Sequence, residues 1–177
     1  MFDKDVAIQA ILYVANRIGN RKDIHKICKT LYFADQEHLS KYGRAITKDV
    51  YIAMEFGPVP SNIEDIFKAL RGDSYFSGCV EDLKPFFGFA NRYILIPKKD
   101  ADLDYLSESD IECLDNAIIK CKDKNFDELT KMSHDLAWSN TQKDRKISLK
   151  DILREAGDDE EYALYIHNKV EIERAYL

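Results

Sequence analysis

Gly57-Pro58-Val59-Pro60 is the stretch that limits the fold most severely. Two prolines in four residues remove two backbone donors, so these residues cannot continue a central strand, and a corner is expected here. Upstream, residues 45–56 (AITKDVYIAMEF) are rich in β-branched and aromatic residues around the polar Thr47-Lys48-Asp49, the pattern of a short hairpin turning at that triplet. Downstream, Ser61-x-x-Glu64 reads as a capping box that opens a helix closed by Gly72.

The same punctuation divides the rest of the chain. Apolar residues at helical spacing from Ala7 to Ile18, followed by Gly19, predict a first helix. Asp23 is a natural N-cap for a second, which runs to about Lys41 and stops at Gly43. Residues 73–84 carry little pattern and read as loop. PFFGFANRYILIP, bracketed by Pro85 and Pro97, predicts a second hairpin. Caps at Ser107-x-x-Asp110, Asn125-x-x-Glu128 and Ser148-x-x-Asp151 predict helices to about Cys121, about Trp138 and Gly157, and a final helix begins with the acidic run at Asp158. The expected architecture is mainly α with a small antiparallel β element (α+β): one compact domain over 1–177, with six or seven helices and one or two β-hairpins. Strands and helices do not alternate as a parallel α/β fold requires.

Several function classes lose support at this level. There is no run of about 20 apolar residues and no signal-peptide h-region, so a cytoplasmic protein with no membrane contact is expected. The four cysteines, 28, 79, 113 and 121, lack Cys-x-x-Cys spacing and read as reduced and mostly buried. A net charge of −6 disfavours DNA as the main partner. The basic residues nevertheless cluster between Arg17 and Lys48. G-x-G-x-x-G, Walker A and G-x-S-x-G are all absent.

The second helix holds the candidate chemistry. Its apolar stripe, Ile24, Ile27, Cys28, Leu31, Leu39 and Tyr42, also contains Asp35 and His38. His25 with Cys28 and Asp35 with His38 form two one-turn pairs, separated by roughly 10 Å of helix, too far to close one zinc site. An enzyme or metalloprotein would draw on Asp35, His38 and His134, with Asp135 beside the last. A polar clasp is the stronger reading, because a buried carboxylate is costly unless it is paired and hydrogen-bonded. Opposite the stripe lie Lys26, Lys29, Phe33 and Glu37, with Arg44 beyond the end, an aromatic set among bases as at protein interfaces. A helix-turn-helix DNA-binding regulator is the remaining alternative, weakened by the acidity and by the lack of base-reading side chains at the start of the second helix.

Leu31-Tyr32-Phe33-Ala34-Asp35, His38-Leu39, Tyr42-Gly43-Arg44-x-Ile46, Asp49-x-Tyr51-x-Ala53-Met54 and Gly57-Pro58-Val59-Pro60-Ser61, together with the later MSHDLAWSNT, resemble the Panacea domain of SocA-like antitoxins, also known as phage-associated GepA-like proteins. The resemblance spans roughly residues 5–140 and leaves 148–177 as a C-terminal helical segment. It implies a non-enzymatic bacterial antitoxin without cofactor or metal, which neutralises a cognate protein toxin by direct contact and in some members presents it to a protease or its adaptor. With no extra DNA-binding region visible at either end, operator binding is not expected. On this basis Lys26, Lys29, Phe33, Arg44 and the corner Gly57, Pro58, Val59 and Pro60 are the candidate partner surface, with the C-terminal helix as an extension. Asp35, His38, Tyr51, His134 and Trp138 are the candidate polar clasp.

Overall fold

A computed structural model describes residues 2–73 and 80–175; Cys79 and residues 74–79 of the expected loop lie outside the described residues. In chain order the elements are α1 (Lys4–Arg17), α2 (Ile24–Tyr42), β1 (Tyr51–Met54), β2 (Gly57–Pro60), α3 (Ser61–Arg71), α4 (Val80–Leu83), β3 (Phe87–Phe89), β4 (Leu95–Pro97), α5 (Glu108–Cys121), α6 (Phe126–Ser133), α7 (Leu136–Ser139), α8 (Leu149–Ala156) and α9 (Glu160–Ala175). Helices dominate, and the two sheets are two-stranded antiparallel hairpins, so the class is α+β. Among the described residues, no helix is long and apolar enough to cross a membrane.

The second helix is the hub. It packs against α1, α5, α6, α8 and β2, and every residue from Ile27 to Gln36 is buried. A helix packed on several sides has no solvated face for its charged residues. This corrects the expectation that Lys29 and Phe33 face outward: Lys29 is 0% and Phe33 5% exposed. α5 covers that flank, with Lys120 Nζ 3.8 Å above the Phe33 ring and Asn116 donating to Glu37.

Both hairpins exist, but the first is displaced by several residues. β1 pairs with β2 in the register Tyr51↔Pro60, Ile52↔Val59, Ala53↔Pro58 and Met54↔Gly57, so the chain turns at Glu55-Phe56, not at Thr47-Lys48-Asp49. The Gly-Pro-Val-Pro corner is itself a strand. Its prolines are tolerated because, among the described residues, β1 is the one strand β2 pairs with, while the far edge of β1 is completed by Ala53 N–H to Arg145 O and Ile147 N–H to Tyr51 O.

Two helix boundaries differ from expectation. Pro60 is the N-cap of α3 and provides no side-chain bond, so the Ser61-x-x-Glu64 box does not form. Asp49 takes its place: its carboxylate accepts from the backbone N–H of Asn62 and Ile63, each at 3.0 Å, and also from Val50 N–H and Asn62 Nδ2. A carboxylate at that end suits the helix dipole. The helix expected to run to Trp138 breaks at His134, and Asp135 recaps the short α7 by accepting from Trp138 N–H at 3.0 Å. That break and the added turn α4 bring the helices to nine among the described residues.

Candidate partner-binding groove

Asp35 and His38 belong to different networks. Asp35, 3% exposed, accepts four hydrogen bonds: Ile46 N–H (2.7 Å) and Thr47 N–H (3.1 Å) on Oδ1, Thr47 Oγ1 (2.6 Å) and Tyr51 OH (2.8 Å) on Oδ2. Burial pushes its carboxyl pKa up, against the pull of those donors. The side chain therefore ties α2 to the 45–50 segment and to β1. His38 points instead to α5. Its Nδ1 donates to Arg44 O at 2.8 Å, and its Nε2 lies 3.0 Å from Ser109 Oγ and 3.1 Å from Asp110 Oδ1. Asp110 also pairs with Arg44 Nη2 at 2.8 Å and sits in the capping box with Ser107. These contacts hold the Asp110 carboxyl well below its usual range, His38 and Ser107 prevailing over burial.

The two residues thus form no shared base-and-orienter pair. His134 lies in another setting again, stacked on Trp138 with centroids 3.7 Å apart. Among the described residues, no group of three or more His, Cys, Asp or Glu side chains is placed to hold a metal ion.

The expected partner residues are mostly spent inside the fold. Lys26 Nζ donates to Lys122 O at the end of α5, and Arg44 is held by Asp110. Gly57, Pro58 and Pro60 are buried, with Val59 half-buried. What the corner exposes is its turn: Met54 is 42% and Phe56 50% exposed. Side chains from two helices, α2 and α7, steady that turn. Trp138 Nε1 donates to Met54 O at 2.9 Å and Lys29 Nζ to Pro58 O at 2.7 Å, while the His25 ring interacts with the Phe56 backbone.

Phe126, at the start of α6, meets Phe56 edge-to-face at 5.3 Å and packs on His25 at 4.1 Å. A groove of about 610 Å³ opens beside this ridge, with Phe56, Phe126, Met54 and Val59 among its walls, Cys28 and Lys29 beneath, and Tyr93 at its rim. Tyr93 is carried there by the second hairpin, which docks on the start of α2 through Ile24 N–H to Tyr93 O and Leu95 N–H to Lys22 O. On the other side of the ridge, a depression of about 550 Å³ is lined by Thr130, Lys131 and His134. Clustered exposed aromatics of this kind mark interaction surfaces. A third depression, about 440 Å³ between α2, α5 and α8, is lined largely by Gln36, Glu37, Lys41, Asn116 and Lys120 and lacks such a cluster.

Met54, Phe56, Tyr93 and Phe126 were not candidates from sequence. The signal was an aromatic residue at a hairpin turn and another directly after a helix N-cap, places where a large apolar side chain tends to stay exposed.

His25 gives the groove a pH signature. Burial, helped by Lys29, lowers its pKa from 6.5 to about 4. As pH falls through that window the unfolded chain binds a proton that the folded chain refuses, so stability declines from about pH 6.5 towards about pH 4. His25→Gln is expected to flatten this decline in urea unfolding measured at successive pH values; an unchanged slope would contradict it.

Residues 27–139, more than half the chain, match the sequence model of a family described as antitoxin SocA-like, Panacea domain. No curated protein and no solved structure matches the chain.

Proposed function

The chain belongs to the SocA-like antitoxin family, Panacea domain, and from that premise we propose that it neutralises a cognate protein toxin by direct binding at the groove beside the β1–β2 turn. The observation that carries this reading is the exposed Phe56–Phe126 ridge. A turn braced by Trp138 and Lys29 presents two large apolar side chains to solvent, at a cost in hydration that a docked partner would reverse. The reading places the protein in the cytoplasm as a single domain, with the family-like core over about 5–140 and 148–177 as an appended helical segment. It assigns Asp35 with Tyr51, and His38, to holding that scaffold, and His134 with Trp138 to holding the turn. Val59 is the part of the Gly-Pro-Val-Pro corner that lines the docking surface. Lys26 and Arg44 serve the scaffold in this account, and the chain acts on its toxin by occupancy, without enzymatic turnover of its own. Presentation of the toxin to a protease fits the same surface.

The test is co-expression with the product of the neighbouring open reading frame. Phe56→Ala with Phe126→Ala removes two side chains that are 50% and 46% exposed, so the fold should stay intact, with a melting temperature within a few degrees of wild type. Rescue of growth should be lost. Full rescue by the double variant would exclude the groove as the contact.

A further inference from the structure

The C-terminal helix turns an apolar stripe to solvent. One side of α9 is docked: Ala163 and Ile166 are buried, Ile166 lies against Gly43, and Tyr162 OH donates to Ser40 O at 3.0 Å. On the opposite side Glu161, Tyr165, Asn168 and Ile172 follow one another at intervals of four, three and four residues, which stacks them on one face, with Leu164 beside Tyr165. Leu164, Tyr165 and Ile172 are 42%, 62% and 58% exposed. Three large apolar side chains on one outward face are more than a solvated helix needs, and such a face marks a contact surface.

The stripe lies in an acidic field. From Asp158 to Arg174 the sequence has six acidic residues against Lys169 and Arg174, and α8 adds as many acids as bases. The bases around the helix are engaged or turned to its other flank. Arg154 of α8 is held by Asp151 and Glu160, and Arg44 by Asp110. Lys48 and Lys169 line, with Glu173, a cavity of about 160 Å³ between α9 and the 43–49 segment, on the flank that faces the body. The charged residue within the stripe itself is Glu161, which is exposed. A surface of this sign repels nucleic acid, an anionic lipid surface and a second copy of itself.

We infer that the outer face of α9 docks a basic amphipathic segment of a partner protein, whose apolar side chains cover Leu164, Tyr165 and Ile172 while its lysines or arginines meet Glu161 and the acids at the start of the helix. Apolar burial supplies the affinity and the charges select the partner, so a neutral or acidic segment with the same apolar content is rejected. The exposed Tyr165 ring adds a face on which a cation can rest. This contact is separate from the groove. α9 docks near the end of α2, at Ser40 and Gly43, whereas the groove lies at its start, from Asp23 to Lys29, so the two surfaces are roughly 25 Å apart along that helix. The helix also lies beyond residues 27–139, which carry the family match.

The probe is an amphipathic peptide with fluorescein at its N-terminus, Lys-Leu-Ala-Lys-Lys-Leu-Ala-Lys-Leu-Ala-Lys-amide, with two controls in which every lysine is replaced by glutamine or by glutamate. Anisotropy with the full chain at pH 7 should show the lysine peptide binding at least tenfold more tightly than either control. Tyr165→Ala with Ile172→Ala should weaken it at least tenfold. Both side chains are exposed and alanine favours helix, so the circular dichroism spectrum should stay that of the wild type. Glu161→Lys should weaken binding several-fold, and Phe56→Ala with Phe126→Ala should leave it unchanged. Equal binding of the glutamine peptide would show a site without charge preference, and binding undiminished by the Tyr165 and Ile172 changes would show diffuse attraction to an acidic protein; either result overturns the inference. So does loss of binding in the Phe56 and Phe126 variant, which would put the peptide in the groove, or no detectable binding at millimolar concentration. Should the Tyr165 and Ile172 variant unfold α9, hydrogen exchange of the wild type decides: the lysine peptide should slow exchange at 161–172 and leave 54–57 unchanged, and the reverse pattern overturns the inference.

Discussion

Gly57→Ala is expected to lower the melting temperature by about 10 °C and to abolish toxin rescue. Gly57 has φ +95°, a region where side chains other than glycine's are strained by about 1–3 kcal/mol. The added methyl would also have nowhere to go, for it would overlap Ser133 Oγ and lie 2.9 Å from Lys29 Nζ. Neither neighbour can retreat freely: Ser133 is 0% exposed and donates to Thr130 O, and Lys29 is bonded to Pro58. Overpacking typically adds about 1–3 kcal/mol, and in a chain of this size each kcal/mol is worth about 2–4 °C. Gly72→Ala is the matched control. Its φ is +78° but nothing lies within 4 Å of the new Cβ, so strain alone should appear, and rescue should persist. Equal losses in the two variants would mean that the close packing of the turn on α2 and α6 contributes nothing.

Asp35→Ala is expected to cost about 3–5 kcal/mol, because it strands two backbone N–H groups and two hydroxyls that now converge on one buried carboxylate. Asp35→Asn should cost less than half as much. Its carbonyl can still accept from Ile46 and Thr47 N–H at the Oδ1 position, and the Thr47 and Tyr51 hydroxyls can rotate to accept from the new amide. Chemical denaturation of the three proteins at pH 7 gives the order. If the asparagine variant is as unstable as the alanine one, the negative charge is the important element and the hydrogen-bond count is not. Loss of toxin binding in an Asp35→Ala variant that melts normally would place Asp35 in the contact surface.

How far the sequence could be read depended on whether the deciding partner was local. Ser107-x-x-Asp110 and Asn125-x-x-Glu128 form capping boxes as their spacing implies, since every participant lies within four residues. Asp49 caps α3 from 13 and 14 residues away, across two strands and the turn that joins them, and no local pattern announces it. The two prolines of β2 argued against a central strand, yet an edge strand needs donors on one side only, and that distinction depends on what lies beyond it. The projection of α2 placed Asp35 and His38 inward but could not show that α5 buries the opposite flank as well. Lys29 and Phe33 therefore looked exposed when they are not. The groove drew its walls from α2, β1, β2, α3, α6 and the β3–β4 hairpin, and a surface assembled from six elements has no linear signature.

Hydrogen–deuterium exchange of the full chain, alone and saturated with the product of the neighbouring open reading frame, tests the central claim most directly. The account predicts slowed exchange in three segments that meet only at the groove: 54–57 at the turn, 23–26 at the start of α2 and 126–130 in α6. Protection confined to α5 or α9, with those three segments unchanged, would contradict it.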